Sequence, residues 1–262
     1  MVPVLSMVFM GVSAVISIGL PFALFLILKK KYALKVIPAL TGAAAFIIFA
    51  LVLEQLLHML VLNPDANGNI ALRTSNPFLY VLYGIFAAGI FEETARFLSF
   101  NLLKKKYTGI GTGLSYGIGH GGIEAGLLAG ITMIGNLVLS IMIISGSAEI
   151  MNSLPLGAAQ LSALTDTGSF LFLVSGIERI FAVVIQISLS LIVWYSVDKK
   201  GKWWLFPLAV LLHALIDIPA AMSQTGAISN IALVEGIIFI EAIAVAMLAV
   251  YICKKLKKNE AE

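Results

Sequence analysis

The side chains best equipped for chemistry in this chain are acids and histidines set inside apolar runs. They are Glu92, Glu93 and Arg96 in GIFEETARFLSF, His120 and Glu124 in HGGIE, and His213 and Asp217 in HALID. An ionised side chain at the centre of a membrane helix costs roughly 3 kcal/mol, so these five charged residues, unpaired in lipid, would cost on the order of 15 kcal/mol. They must converge on one another, on water or on a metal. Together they hold what hydrolysis of an amide inside a membrane requires: neutral imidazoles to bind a divalent metal, a carboxylate to complete the ligand set, and another to take a proton from water. His120 and His213 are the natural nitrogen ligands. One of Glu92, Glu93, Glu124 or Asp217 completes the set, and a second glutamate is the general base. A metal-free version uses Glu92 or Glu93 to polarise water and His213 with Asp217 to stabilise the oxyanion.

The elements that must position these groups are membrane helices. Of the 262 residues, 60% are hydrophobic and 12% charged, and the mean hydropathy is +1.02, outside the range of a soluble globular domain. The expected fold class is an all-α polytopic membrane protein of the plasma membrane, one transmembrane domain over 1–262. Seven apolar runs, about 4–28, 36–62, 78–103, 111–146, 168–197, 203–222 and 228–253, each reach the ~20 residues a span needs. The fourth is too long for one straight crossing, so it tilts, breaks or continues beyond the surface. The first has no basic residue before it and Lys29, Lys30 and Lys31 after it, the reverse of a cleaved signal peptide, and is read as a retained helix.

Charge supports alternation of the loops. Every lysine lies in one of four clusters, 29–35, 104–106, 199–202 and 254–258, on alternate loops, whereas the other side carries Arg73. By the positive-inside rule the N-terminus is outside and the basic tail 254–262 is cytosolic. Topology thus accounts for the net charge of +3, and no nucleic-acid partner is implied. The single cysteine, Cys253, excludes an intrachain disulfide and a cysteine metal cluster. Segment 63–77 reads as plain loop. Segment 145–169 is half apolar with a short helix after Pro155, either an outer lid or re-entrant segment over a cavity or an ordinary surface helix.

At 1.5 Å per residue, Glu92 and Glu93, His120 and His213 all lie about 15 Å from the lysine-rich end, near the bilayer midplane. Glu124 and Asp217 each sit one turn above their histidine on the same face. Gln186 falls near this plane and is a cavity-lining candidate. Glu92 and Glu93 point about 100° apart, so one alone is expected to face the histidines squarely. His58, nearer the outer surface, is expected to pair with Glu54, and Glu178 with Arg179, away from the site. Glu235 and Glu241 have no evident partner. Gly109, Gly113, Gly117 and Gly121, and a second line of Gly122, Gly126 and Gly130, mark faces where helices approach closely.

On EETAR, the H-x-x-x-E helix of SYGIGHGGIEAG and the H-x-x-x-D helix of HALIDIPAA, the chain resembles the YhfC-type intramembrane metalloproteases. These are similar to the PrsW-like proteases and, more distantly, to the CAAX prenyl endopeptidases and bacteriocin-processing (CPBP) proteins. The resemblance implies glutamate-dependent, metal-assisted cleavage of a membrane protein or peptide, with zinc as the metal. It falls on Glu92, Glu93, His120 and His213, and more loosely on Arg96, Glu124 and Asp217. The site so expected has Glu92, Glu93, Arg96 and Asp217 as catalytic residues and His120, His213 and Glu124 as metal ligands. Two residues, Thr94 and Ala95, separate the acidic pair from Arg96 where the CAAX branch has three, and Gln186 stands where a histidine is expected. A proton- or metal-coupled transporter is the main alternative, since embedded acids and histidines also relay ions. A non-catalytic scaffold or immunity protein of protease descent is the third.

Overall fold

The structure, a computed structural model, describes residues 2–66, 68–146 and 158–258. All regular structure among them is helical, as expected where lipid offers the backbone no hydrogen-bond partners. Seven helices are long and apolar enough to cross a membrane: α1 (Val4–Tyr32), α2 (Val36–Leu62), α3 (Pro77–Leu103), α4 (Ile110–Ile144), α5 (Ser169–Asp198), α6 (Leu205–Gln224) and α7 (Ile231–Lys255). The chain is a multi-pass membrane protein. Lys31, Lys35 and Lys106 line one cleft, so the first two lysine clusters gather at the same end of the bundle.

Helix starts follow local chemistry. Asn76 accepts from the Leu79 amide at 3.1 Å and Pro77 occupies the first turn of α3, where its missing N–H costs nothing. The long fourth run is one continuous helix of 35 residues, about 52 Å at 1.5 Å per residue, so it neither breaks nor fits within ~30 Å of hydrocarbon. It widens to a π segment over Gly126–Ile131, two residues beyond Glu124, and α2 does so over Ile47–Glu54. Such segments re-aim side chains and are frequent at functional sites. In α6 the Leu205–Ile216 and Ile218–Gln224 segments join at Asp217, because Pro219 has no N–H to bond the Leu215 carbonyl.

The centre of the bundle is α5, packed against α1, α3, α4, α6 and α7. Its most apolar window is 67% buried, against 22–33% for the other six helices. The approach of α4 depends on glycine. A Cβ at Gly117 would lie 2.7 Å from the Ile187 Cα, and one at Gly121 would lie 2.9 Å from the Gln186 Cβ. On another face Gly119 abuts the Ala39 carbonyl of α2. Below the site, Phe100, Tyr116 and Trp194 stack from α3, α4 and α5, with centroids 4.6 and 5.3 Å apart.

Within 145–169, residues 147–157 lie outside the described residues. The short helix expected after Pro155 is present as Ala158–Thr165. Its Leu164 joins a small buried cluster with Met10, Ala14, Met133 and Phe172, so it packs on α1, α4 and α5. Of the basic tail, 259–262 lie outside the described residues.

Candidate active site

Three helices bring the acids and histidines together around α3, as their matched depths require. Arg96 organises the acidic pair. It is fully buried, pairs with Glu93, donates to Glu92 Oε2 at 3.4 Å and to Gln186, and holds Ser190 Oγ at 3.2 Å. His120 Nε2 lies 2.9 Å from Glu92 Oε2, and its ring is buried against Phe46 with centroids 5.1 Å apart. On the other side His213 Nδ1 lies 2.6 Å from Glu93 Oε1, and its Nε2 lies 3.5 Å from Asp217 Oδ2.

The two glutamates therefore each face a histidine. One alone was expected to face both histidines squarely. Glu92 Oε2 lies 2.9 Å from His120 Nε2 and 3.9 Å from His213 Nε2, so Glu92 is within reach of both imidazoles, while Glu93 Oε1 meets His213.

Three of the candidate residues bring ligand atoms close enough together to share a metal. Ligand atoms of Glu92, His120 and Glu124 all lie within 4.8 Å of one another. His213, also expected as a ligand, gives Nδ1 to Glu93 Oε1, and its Nε2 lies 3.9 Å from Glu92 Oε2, the oxygen that His120 Nε2 meets at 2.9 Å. Gln186 is more than a cavity liner. Its amide nitrogen donates to Glu124 Oε2 at 2.6 Å and to Glu92 Oε2 at 3.2 Å, while its oxygen accepts from Arg96. A single imidazole would have to both donate to two acids and accept from a guanidinium to replace it.

Two groups missed by depth counting also belong here. Arg179 pairs with Glu178 as expected, yet Nη1 also reaches Glu124 Oε1 at 3.5 Å. Long side chains cover a full turn or more, so Cα depth alone misplaces them. Glu54 pairs with His58 at 3.3 Å as expected, but it also lines a cavity that reaches Asp217. Its signal in the sequence was the cost of an intramembrane acid with one weak partner. On α7, Glu235 and Glu241 each keep one buried carboxylate oxygen without a hydrogen-bond partner.

The family model described as YhfC intramembrane metalloprotease matches residues 15–238, a span that contains every group named above except Glu241. The chain belongs to the YhfC family. A relative from Bacillus subtilis (strain 168), described as an uncharacterized membrane protein YhfC, is 35% identical over 261 residues, covering 97% of each chain. No solved structure matches. The family's description implies a metal, and the Glu92, His120 and Glu124 group is a place that can hold one.

Proposed function

We propose that this YhfC family member is an intramembrane endopeptidase that hydrolyses a peptide bond of a membrane-embedded protein or peptide. The observation that carries this is the meeting of buried Glu92, Glu93, His120 and His213 around Arg96, with half-buried Glu124 and Asp217 at the edge. The donor set fits a divalent cation. Among the described residues five carboxylates, Glu92, Glu93, Glu124, Glu178 and Asp217, stand against two fixed cations, Arg96 and Arg179, and two of those carboxylates converge with an imidazole. In this reading Glu92, His120 and Glu124 hold the metal, and their nitrogen and oxygen donors suit zinc. When bound, the ion supplies Lewis acidity towards water and the scissile carbonyl.

The chain's own residues supply the rest. Arg96 and His213 fix Glu93 Oε1, leaving Oε2 buried with no hydrogen-bond partner. That oxygen accepts the proton of the attacking water. His213, set between Glu93 and Asp217, carries the proton onward to the departing amide nitrogen. Gln186 holds Glu92 and Glu124 at a fixed separation. The same reading sets the N-terminus outside and the lysine-rich end in the cytosol, by the positive-inside rule.

Metal analysis of purified protein, combined with mass spectrometry of membrane-spanning peptides after incubation in proteoliposomes, tests this assignment. Glu92→Gln and His120→Ala are expected to lose metal. Glu93→Gln is expected to keep it while cleavage falls about 10²–10⁴-fold, the usual contribution of a general base. Undiminished cleavage in all three variants would sink the hydrolase. Ion flux without peptide products would move the reading to a transporter.

A further inference from the structure

A cavity of about 460 Å³ opens at the end of the bundle away from the lysine-lined cleft, where α2 runs into Pro64 and Ile70. Its walls come from α2, α3 and α6, and Asp217, with its side chain 33% exposed, lines it beside the His213 imidazole. The cavity therefore reaches from the surface to Asp217, the outermost member of the candidate active site. Its wall also carries a hydrogen-bonded chain. Glu54 Oε1 lies 3.3 Å from His58 Nε2, and His58 Nδ1 lies 2.8 Å from the Tyr83 hydroxyl. Glu54 is 6% exposed. Two acids line this space, and among the described residues no lysine or arginine does. A buried carboxylate whose nearest partner is a histidine is stabilised by any cation that enters.

We propose that this cavity is the substrate cleft, and that it takes a peptide segment presenting a positively charged side chain to Glu54 and Asp217. The word substrate rests on the hydrolase reading above; the cavity's preference for cations does not. Charge complementarity fixes the class of occupant, because an anionic segment would meet only like charge. The Tyr83 hydroxyl and His58 hold Glu54 in place at the wall.

Gly84 offers a probe. It lines the cavity, and a Cβ built there meets nothing within 4 Å, so a larger side chain projects into open space. In a Cys253→Ala chain, which is free of cysteine, Gly84→Cys is reacted with the cationic thiol reagent MTSET and the anionic MTSES, each rate normalised to that with free β-mercaptoethanol. The cationic reagent is expected to be favoured about ten-fold or more, the effect of a nearby carboxylate in a partly screened site. Adding Glu54→Gln or, separately, Asp217→Asn should reduce that preference severalfold, and Ala221→Cys gives a second reporter in the same cavity. Equal rates, anionic preference, or no modification at either position overturns the proposal. Labelling requires no turnover, so cation preference in a chain that cleaves nothing would sink the hydrolase reading alone. Unchanged cleavage in Gly84→Phe, which fills the cavity, would sink the cleft and leave the hydrolase standing.

Discussion

Arg96 shows how a buried charge becomes affordable at the scale of a residue. Its guanidinium meets Glu92, Glu93, Gln186 and Ser190, so its donors are spread over α3 and α5. Removing it leaves acids buried without their cation, and Arg96→Met is expected to destabilise the protein by about 3–5 kcal/mol, the range for breaking a buried pair. Ser190→Ala, which deletes one hydrogen bond, is expected to cost about 1–3 kcal/mol. Thermal unfolding in detergent compares the two, and equal losses would mean that the ion pairs contribute little. Lysine at 96 cannot restore the arrangement, since it lacks the planar fork that reaches two acids and an amide together. The sequence identified the acids, the histidines and the arginine through their cost in lipid. It did not disclose that Gln186 joins Glu92 to Glu124, because the cost of a buried amide says only that it needs partners, and these lie on α3 and α4.

Among the elements, α4 and α5 set the site's dimensions. Gly117 and Gly121 allow α4 to lie close on α5, which puts Gln186 against Glu124 and leaves His120 directed to Glu92. Gly117→Leu is expected to lower stability by about 1–3 kcal/mol or more through overpacking and to separate the two helices. Gly19→Leu is the control, for a Cβ there meets nothing within 4 Å. Circular dichroism melts of both variants check this, and equal midpoints would refute the packing role. Four-residue glycine spacing was visible in the sequence as a close-approach pattern. Which neighbour each glycine met was not, because Gly117 faces α5 while Gly119 faces α2.

For the whole molecule the testable property is orientation. With Cys253 replaced, Ser75→Cys in the segment before α3 is expected to react with a membrane-impermeant maleimide on intact cells, and Thr108→Cys beside the lysine cluster to react only after lysis; both positions are exposed. The opposite pattern would invert the proposed topology. Hydropathy and length fixed the seven spans, since roughly 30 Å of hydrocarbon leaves little freedom in helix length. Depth counting likewise brought Glu92, Glu93, His120 and His213 to one level, because rise per residue is constant along a helix. The azimuth of each helix about its neighbours is a different quantity, set by packing on α5. Tertiary structure alone therefore decided that Glu92 reaches both histidines while Glu93 meets His213, that Glu92 and Glu124 converge with His120, and that Arg179 reaches Glu124.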